Sequence, residues 1–556
     1  MGAPVKIIPL GGLGEVGKNM TVFEQDDELI LIDAGLTFPK AEMLGIDLVL
    51  PDFSYVADRA DRLRAIILTH GHEDHVGALP YLLREVGTHP EVLGTRLTLG
   101  LVKSKLDEHG LGADANLVEV NPDDPPRDVG PFQAEFVRLT HSIPDAVAVV
   151  LRTDHGTIIH TGDFKLDMTP IDGRAADVDR LAALGREGVA VLMSDSTNAE
   201  NPGTTPSEAT VGPSMREIIK KAPGRVIVTS FASQIHRLQQ VIDAAAANNR
   251  KVCVIGRSMV RNLNIARNLG YAAVEDDILI KPRALESTLP HEVVILCTGS
   301  QGEPRSALTR IAFGDHPAVQ IHPTDTVVMS SKAVPGNEVN VYETINRLSR
   351  MGAKVLTESN AYVHVSGHGS SEELRTMLSL VQPHNFVPIH GEYRMLRAHA
   401  EIAEQTGVPH HAVRIADNGS VLTLDDGVLG LSGQVETGIT LVDGLNVGDL
   451  RDVVLRDRRR LATDGVLIVV ATIAAETAAP VADPEVIMRG FYAPAEDSDL
   501  LMEAAHEAVE RVLEECQART TTDVHLVQEK LHDALAEVVQ HMTGKRPMVL
   551  PVVVEV

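Results

Sequence analysis

Short apolar runs alternate with amphipathic helical patterns along most of the chain. Continuous apolar runs of this length are typical of buried strands, and glycine-rich or polar segments separate them. In the first part of the chain they stand at residues 7–10, 28–32, 65–68, 135–139, 147–153, 157–160 and 191–194. Alternation of buried strands with helices predicts an α/β fold.

The pattern divides into several units, because 556 residues exceed what one hydrophobic core supports. Residues 1–204 and 353–446 are predicted to form one α/β domain, interrupted by a second α/β domain over residues 205–352. Periodicity weakens over residues 447–464, which predicts a linker or a connecting helix. Residues 465–556 predict a small α+β domain. Its predicted elements are strands at 466–471 and 485–488, helices at about 497–518 and 523–542, and a strand at 548–554.

Composition is that of an ordinary soluble α/β protein, with 44% hydrophobic and 23% charged residues. The formal net charge of −27 disfavours non-specific attraction to nucleic acid or to an anionic membrane. Aromatic residues make up only 3%, so base stacking cannot depend on many exposed rings. A nucleic-acid substrate would therefore require a metal cluster or a local basic groove to attract it.

The cysteines give no sign of a disulfide framework or of a thiolate zinc site. Cys253, Cys297 and Cys516 are widely spaced, and no C-x-x-C motif occurs. The sequence has no recognisable signal peptide and no apolar run of about 18 residues. We expect buried, reduced cysteines, no membrane partner and a cytoplasmic enzyme.

The glycine-rich segment at residues 11–17 resembles a phosphate-binding loop at first sight. It lacks the Lys-Ser or Lys-Thr ending of such a loop, and no long helical pattern follows it. A tight glycine turn between strands is the preferred interpretation.

Three histidines and two carboxylates follow the apolar run at residues 65–68. They are His70, His72, Glu73, Asp74 and His75. Imidazole suits zinc and manganese, and carboxylate suits harder ions. Alternate residues of an extended segment point the same way, so His70 and His72 can hold one ion while Asp74 and His75 face a second. The alternative is a surface loop that is merely rich in histidine and aspartate, but this order of residues after a buried strand is rarely accidental.

Other predicted strands also end in candidate ligands. Asp33, His141 and Asp163 each follow an apolar run. Taken singly, such residues are more often structural. Because α/β sheets build their sites at the C-terminal ends of strands, recurrence at this one kind of place predicts a shared site. Asp33 is predicted to orient a metal ligand, with the capping of a turn as the alternative.

These motifs resemble the metallo-β-lactamase superfamily. Asp33, the segment at residues 70–75, His141 and Asp163 match its four N-terminal motifs in order. The resemblance implies an αββα sandwich with a two-metal site along one edge. It leaves the substrate open, because members cleave lactams, thioesters, sulfates and phosphodiesters.

Three later segments narrow the resemblance to the β-CASP nucleases. Asp195 ends a buried run and resembles motif A, His368 lies in a string that matches motif B, and His390 lies in one that matches motif C. Over roughly residues 5–445 the chain is similar to the bacterial ribonuclease J family, whose 5′-to-3′ exonuclease and endonuclease activities serve RNA maturation and decay. The implied fold class is α/β: a metallo-β-lactamase αββα sandwich with an inserted β-CASP α/β domain and a small C-terminal α+β domain.

The resemblance implies two divalent metal ions per subunit. His70, His72 and His141 would hold the first, Asp74, His75 and His390 the second, and Asp163 would bridge the two. These ligands favour Zn2+ and are also compatible with Mn2+. Two ions acidify a water molecule and neutralise the phosphate oxygens during in-line displacement. The predicted catalytic residues are Asp74, His368 and Asp195. His368 would protonate or stabilise the leaving oxygen, and Asp195 would hold a metal ligand or the acid in position. For His368, an exposed loop histidine between glycines is the alternative.

A pocket for a terminal RNA phosphate is predicted from two segments that offer hydrogen-bond donors. The substrate-binding residues are Ser233, Gln234 and His236 at a strand-to-helix junction beginning near Ser230, and His364, Val365, Ser366, Gly367 and His368 on the motif B loop. In the related nucleases such a pocket holds a 5′-monophosphate. Ser233 could instead simply cap the helix. The basic residues Arg305, Arg310, Lys332 and those at 456–460 could line an RNA path, although a charge run is more often a solvated face.

The expected substrate is single-stranded RNA, and the expected assembly is a homodimer or tetramer formed through the C-terminal domain. An RNA-degradation complex is a further candidate partner. Rival interpretations are a β-CASP nuclease acting on DNA, a purely endonucleolytic enzyme, and a metal-free scaffold subunit. His390 is the form of motif C found in the RNA-acting branch, and scaffold relatives lose ligand residues that are all present here.

Overall fold

A computed structural model of the chain describes residues 2–40, 42–444, 446–448, 452–490 and 495–556. They form two compact units. The first unit contains the chain up to Phe38 and residues Leu48–Thr440, and the second contains Pro39–Asp47 and the chain from Leu441 onward. None of the described helices combines the length and the apolar character needed to cross a membrane.

The first unit begins with the elements that precede the predicted insert. Its strands are β1 (Val5–Gly11), β2 (Leu13–Gly14), β3 (Met20–Gln25), β4 (Glu28–Ile32), β5 (Leu48–Pro51), β6 (Leu63–Ile67), β7 (Glu91–Gly94), β8 (Asn116–Glu119), β9 (Arg127–Val129), β10 (Phe132–Arg138), β11 (Val147–Thr153), β12 (Gly156–His160) and β13 (Val191–Asp195). Its helices are α1 (Ser54–Ala57), α2 (Glu73–Val76), α3 (Leu79–Val86), α4 (Arg96–Glu108) and α5 (Val178–Glu187).

The insert and the return to the first domain complete this unit. The insert contains strands β14 (Val226–Thr229), β15 (Lys251–Ile255), β16 (Leu279–Ile280), β17 (Val293–Cys297), β18 (Thr326–Met329) and β19 (Lys354–Leu356), with helices α6 (Val211–Lys221), α7 (Ile235–Ala246), α8 (Arg257–Leu269), α9 (Ala307–Phe313) and α10 (Glu338–Arg350). The return contains α11 (Ser371–Val381), β20 (Asn385–Ile389), β21 (Gly391–Glu392), α12 (Tyr393–Gln405), β22 (Ser420–Asp425) and β23 (Val428–Gln434).

Two sheets pack face to face in the first domain. One has the strand order β23-β22-β1-β3-β4-β6-β7-β8 and the other the order β20-β13-β12-β11-β10-β9. Their facing side chains form one apolar core, in which Ile30, Ile67, Val149 and Met193 are fully or almost fully buried. Helices α5, α11 and α12 cover the outer face of the second sheet. This αββα arrangement is the predicted one.

The insert is a parallel sheet with the order β16-β15-β17-β14-β18-β19. Its outermost strand, β19, pairs in parallel with β18 through Val327 and Val355. The sheet of the insert therefore continues past residue 352, where the sequence predicted its end. The edge strand has only three residues, none of them fully buried, so the apolar pattern marked it weakly.

The second unit contains a three-stranded sheet and two long helices. Strand β24 (Ile439–Asp443) begins in the last two residues of the first unit. The other elements are β25 (Asn446–Gly448), α13 (Asp452–Asp464), β26 (Val466–Ile473), β27 (Glu485–Arg489), α14 (Ala495–Ala518), α15 (Val524–Thr543) and β28 (Met548–Glu555). Of the predicted linker at 447–464, residues 449–451 lie outside the described residues, and most of the remainder is helix α13.

Candidate metal centre

Strand direction brings the candidate ligands together. Strands β4 and β6 run parallel in the first sheet, and β12, β13 and β20 run parallel in the second. Parallel strands end at the same edge of a sheet. Asp195 is the last residue of β13, and the segments that follow the other strands contain Asp33, residues 70–75, Asp163 and His390. The two sheets therefore deliver their strand ends to one place.

The imidazole rings of His70, His72 and His141 lie close together at this edge. Their ring centroids lie 4.8 to 4.9 Å apart. His70 Nε2 and His141 Nε2 each lie 3.1 Å from His72 Nδ1. Together with Asp163 they form a group whose ligand atoms all lie within 4.8 Å of one another. This is the first of the two ligand sets that the resemblance implied.

The tautomers of two of these rings are fixed by contacts behind them. His141 Nδ1 donates to the Gly367 carbonyl at 2.7 Å. His70 Nδ1 lies 3.1 Å from Thr69 Oγ1, whose own proton goes to a carboxylate. Both Nε2 atoms are therefore unprotonated and direct their lone pairs toward His72. Lone pairs that converge in this way suit a cation.

A second group lies beside the first and shares Asp163 with it. His75 Nε2 is 3.2 Å from Asp163 Oδ2, and His390 Nδ1 is 2.5 Å from Asp163 Oδ1. Asp74 Oδ2 is 3.7 Å from His75 Nε2 and 3.5 Å from His390 Nε2. These four ligand atoms also lie within 4.8 Å of one another. The second implied ligand set is thus assembled around the same carboxylate.

Asp33 lies behind the second group rather than within it. Its carboxylate accepts from Thr69 N at 2.8 Å and lies 2.6 Å from His75 Nδ1. The contact orients the His75 ring, so Asp33 remains a candidate for the orienting role that the sequence suggested. Asp33 is buried and adopts the left-handed conformation, with φ of 63°.

Electrostatics distinguish the two groups. Burial lowers the pKa of His72 to about 4. Burial, together with the neighbouring imidazoles, also holds the pKa of His70 and of His141 well below the usual value. Burial acts in the same direction on His390, but the adjacent Asp163 carboxylate outweighs it and raises the pKa of His390 to about 10. The three imidazoles of the first group are therefore neutral, the form that binds a cation. In the second group, the carboxylates stabilise positive charge beside them.

His368 meets Asp195 at the rim of the cluster. His368 Nδ1 lies 2.7 Å from Asp195 Oδ2, and Thr197 N donates to Asp195 Oδ1 at 2.9 Å. Burial opposes the charged form of His368, but Asp195 outweighs it and raises the pKa of this imidazole. Asp195, His368, Asp163 and His390 also form a third group of ligand atoms within 4.8 Å.

The predicted phosphate-binding residues fall into two sets. Gln234 is buried and accepts from Ser230 Oγ at 2.7 Å. His236 Nε2 lies 3.6 Å from Asp172, so this ring faces a neighbouring loop. Among the hydrogen bonds of the described residues, none caps helix α7 through the Ser233 side chain, which leaves the capping alternative without support.

The motif B loop contains the other predicted set. Val365 and Gly367 are buried, while His364, Ser366 and His368 are partly exposed. Burial and nearby cationic side chains lower the pKa of His364 to about 3, so its ring is neutral.

Two residues that support the site were not predicted from the sequence. Asn19 Nδ2 donates to the Asp74 carbonyl at 3.1 Å and lies 3.1 Å from His75 Nε2. Buried Glu373 accepts from the backbone N–H groups of Leu166 at 2.9 Å and Ser370 at 2.9 Å, and also from Thr205. The glycine turn at residues 11–17, which leads into Asn19, was the signal available for the first. The Ser370 and Glu373 capping-box spacing was the signal for the second.

Four family models match successive parts of the chain. The metallo-beta-lactamase superfamily model matches residues 13–196, and the model of the Ribonuclease J beta-CASP domain matches residues 223–348. A Zn-dependent metallo-hydrolase RNA specificity domain matches residues 352–413, and the Ribonuclease J C-terminal domain matches residues 453–556.

Relatives match along almost the whole chain. Ribonuclease J2 of Bacillus subtilis is 42% identical, over 99% of this chain and 99% of the relative. Ribonuclease J of Thermus thermophilus is 44% identical, over 99% of this chain and 95% of the relative. The chain belongs to the ribonuclease J family. The family and the fold class predicted from the motifs are therefore confirmed, and membership together with the His and Asp cluster supports a metal-dependent ribonuclease.

A solved structure agrees at the level of the fold. A protein of unknown function from Enterococcus faecalis V583 is similar with a TM-score of 0.54, over 76% of this chain and 100% of that chain. At 15% identity this likeness concerns the fold alone.

Proposed function

We propose that the protein is a metal-dependent ribonuclease that hydrolyses RNA phosphodiesters, as a 5′-to-3′ exonuclease that prefers a 5′-monophosphate and as an endonuclease. One observation carries the proposal: two groups of four ligand atoms, each within 4.8 Å, share the single carboxylate of Asp163. Membership of the ribonuclease J family supplies the substrate class. The preference for a 5′-monophosphate is taken from the motif resemblance.

The donor set fits two divalent cations. Zinc bound to two imidazoles tetrahedrally at about 2.0–2.1 Å separates the nitrogens by about 3.3 Å. The contacts from His70 and His141 to His72 are 3.1 Å, close to that separation. In the second group, His390 Nε2 is buried and has no hydrogen-bond partner among the described residues. A buried nitrogen that makes no hydrogen bond and lies 3.5 Å from the Asp74 carboxylate is the arrangement expected at a cation site.

Two divalent ions, when bound, supply an acidified water and positive charge for the phosphate oxygens. The residues of the chain orient the ligands and donate the proton. Asp33 orients the His75 ring, and the Gly367 carbonyl fixes the tautomer of His141. Asp195 holds His368 through Nδ1, which leaves Nε2 to give a proton to the leaving oxygen.

The mode of cleavage is tested by a time course on two RNAs that differ only at the 5′ end. We expect the 5′-monophosphate RNA to yield mononucleotides from the earliest times, because a pocket for the terminal phosphate sets the register of cleavage. The 5′-triphosphate RNA should be shortened mainly after internal cuts. Product sizes read at nucleotide resolution check this. Equal rates and identical products from both RNAs would refute the 5′-end preference, and internal fragments alone would leave only the endonuclease.

We also propose a homodimer formed through the C-terminal domain. Leu550, Val552 and Val554 lie on one face of β28 and are 43%, 44% and 43% exposed. In the adjacent strand, Ile468 pairs with Leu550 and Val470 pairs with Val552, which extends the apolar face. The opposite face of this sheet packs against helices α14 and α15. Exposed apolar patches of this kind mark interfaces.

A charge placed on this face is expected to dissociate the dimer. We predict that Leu550→Glu lowers the mass measured by light scattering to that of the monomer, because burying an unpaired carboxylate is costly. Leu526→Glu is the matched control, since Leu526 is 42% exposed on the helical side of the domain. A monomeric wild-type protein, or equal dissociation by both variants, would contradict this interface.

A further inference from the structure

Asn198 contacts Ser366 and His368, two of the predicted site residues on the motif B loop. It lies three residues after Asp195, which is the last residue of strand β13. Its side-chain Nδ2 donates to Ser366 Oγ at 2.8 Å and to the His368 carbonyl at 3.0 Å. Asn201 Nδ2 donates to Asn198 Oδ1 at 3.0 Å, which fixes the orientation of the amide. Asn198 therefore acts toward the loop as a donor only.

This contact determines what the Ser366 hydroxyl can do. A serine oxygen has two lone pairs and one proton. One lone pair accepts from Asn198, and the other accepts from His368 N at 3.1 Å. In the part of the chain that the structure describes, no group accepts the Ser366 proton. The partly exposed hydroxyl is thus left with a proton to donate outward.

The surroundings hold the loop in place and add a second unpaired polar atom. Thr205 Oγ1 donates to the His368 carbonyl at 2.7 Å. Glu373 ties the start of helix α11 to two neighbouring segments through backbone N–H groups. His364 Nδ1, two residues before Ser366, is buried without a hydrogen-bond partner among the described residues. The loop therefore carries two groups that could contact a ligand, the Ser366 hydroxyl proton and His364 Nδ1.

We propose that Asn198 is a positioning residue that makes Ser366 an obligate hydrogen-bond donor to a phosphate oxygen of the RNA. Because the same amide holds the backbone of His368, it also fixes the distance between the phosphate contact and the proton donor of the reaction. This inference rests on the proposed function. The phosphate oxygen belongs either to the 5′ terminus or to the chain, and the experiment below distinguishes these sources.

The test measures binding of a cleavage-resistant 2′-O-methyl oligonucleotide to the full-length protein by fluorescence anisotropy. One version carries a 5′-monophosphate and the other a 5′-hydroxyl. We expect Asn198→Ala and Ser366→Ala each to weaken binding about tenfold, as for a hydrogen bond to a charged group. The double variant should bind no more weakly than either single variant, because both substitutions remove the same contact. If affinity falls only for the 5′-monophosphate version, Ser366 contacts the terminal phosphate. If affinity falls equally for both versions, Ser366 contacts a phosphate within the RNA chain.

Thr205→Val is the matched control. It removes the other hydrogen bond to the His368 carbonyl and leaves Ser366 untouched. Because Thr205 also holds the loop, its variant should weaken binding of both oligonucleotides less than Asn198→Ala does, and this loss should add to that of Ser366→Ala. Wild-type affinity in Asn198→Ala, or additive losses in the double variant, would overturn the role of Asn198. If the wild type fails to cleave natural RNA but shows the expected pattern of binding, the proposed function fails and this inference stands.

Discussion

Replacing Asp163 by asparagine is expected to abolish RNA cleavage and to empty the metal centre. Asp163 is the only residue common to all three groups of candidate ligand atoms found among the described residues. Its carboxylate lies 3.2 Å from His75 and 2.5 Å from His390. An asparagine keeps the shape but removes the charge that would hold both ions of the proposed centre. A loss of several kcal/mol of transition-state stabilisation corresponds to a fall in kcat of about a thousandfold or more.

Metal analysis separates this prediction from simple misfolding. Asp163→Asn should contain less bound metal than the wild type, whereas Asp167→Asn should retain it. Asp167 is as deeply buried and stands four residues later, but it accepts from the backbone of Thr169 and Glu208 and lies outside every group of candidate ligands in the described chain. Asp167→Asn should therefore lower the Tm while its metal content stays close to that of the wild type. Full metal content and activity in Asp163→Asn would contradict the proposed centre.

The positions of the candidate ligands could be predicted because each follows a strand. An apolar run that ends in histidine or aspartate is visible in the sequence, and parallel strands end at one edge. This reasoning placed Asp33, His141 and Asp163 near the segment 70–75. The division of the ligands into two sets came from the resemblance, and the distances agree with it.

Contacts made by loops could not be predicted in the same way. The hydrogen bond from Asn198 to Ser366 joins residues 168 positions apart, and neither residue lies in a periodic pattern. Its existence depends on how the insert returns the chain to the first domain. The short strand β19 shows the same limitation, because three residues at a sheet edge carry too little apolar pattern to mark a boundary. His236 was predicted from its neighbours in sequence, but helix α7 turns its ring toward Asp172.

Replacing His368 by alanine is expected to lower kcat by about a hundredfold to ten-thousandfold while the metal content stays unchanged. The structure offers two roles for this ring, since it contacts Asp195 at 2.7 Å and also belongs to the third group of candidate ligand atoms. A proton donor and a metal ligand predict different results. Only loss of a ligand should empty the centre.

The leaving group provides the sharper test of the same variant. Hydrolysis that leaves 5′-phosphates on the products expels a 3′ oxygen, which needs a proton as it departs. A 3′ sulfur in its place leaves as a thiolate, because a thiol is far more acidic than an alcohol. His368→Ala should therefore be slow on ordinary RNA and recover most of the lost rate on RNA with a single bridging 3′ sulfur. Asp195→Asn should show the same recovery from a smaller loss, about tenfold to a hundredfold, since it acts through the ring. Equal impairment on both substrates would exclude proton donation by His368 and favour a ligand role for the ring.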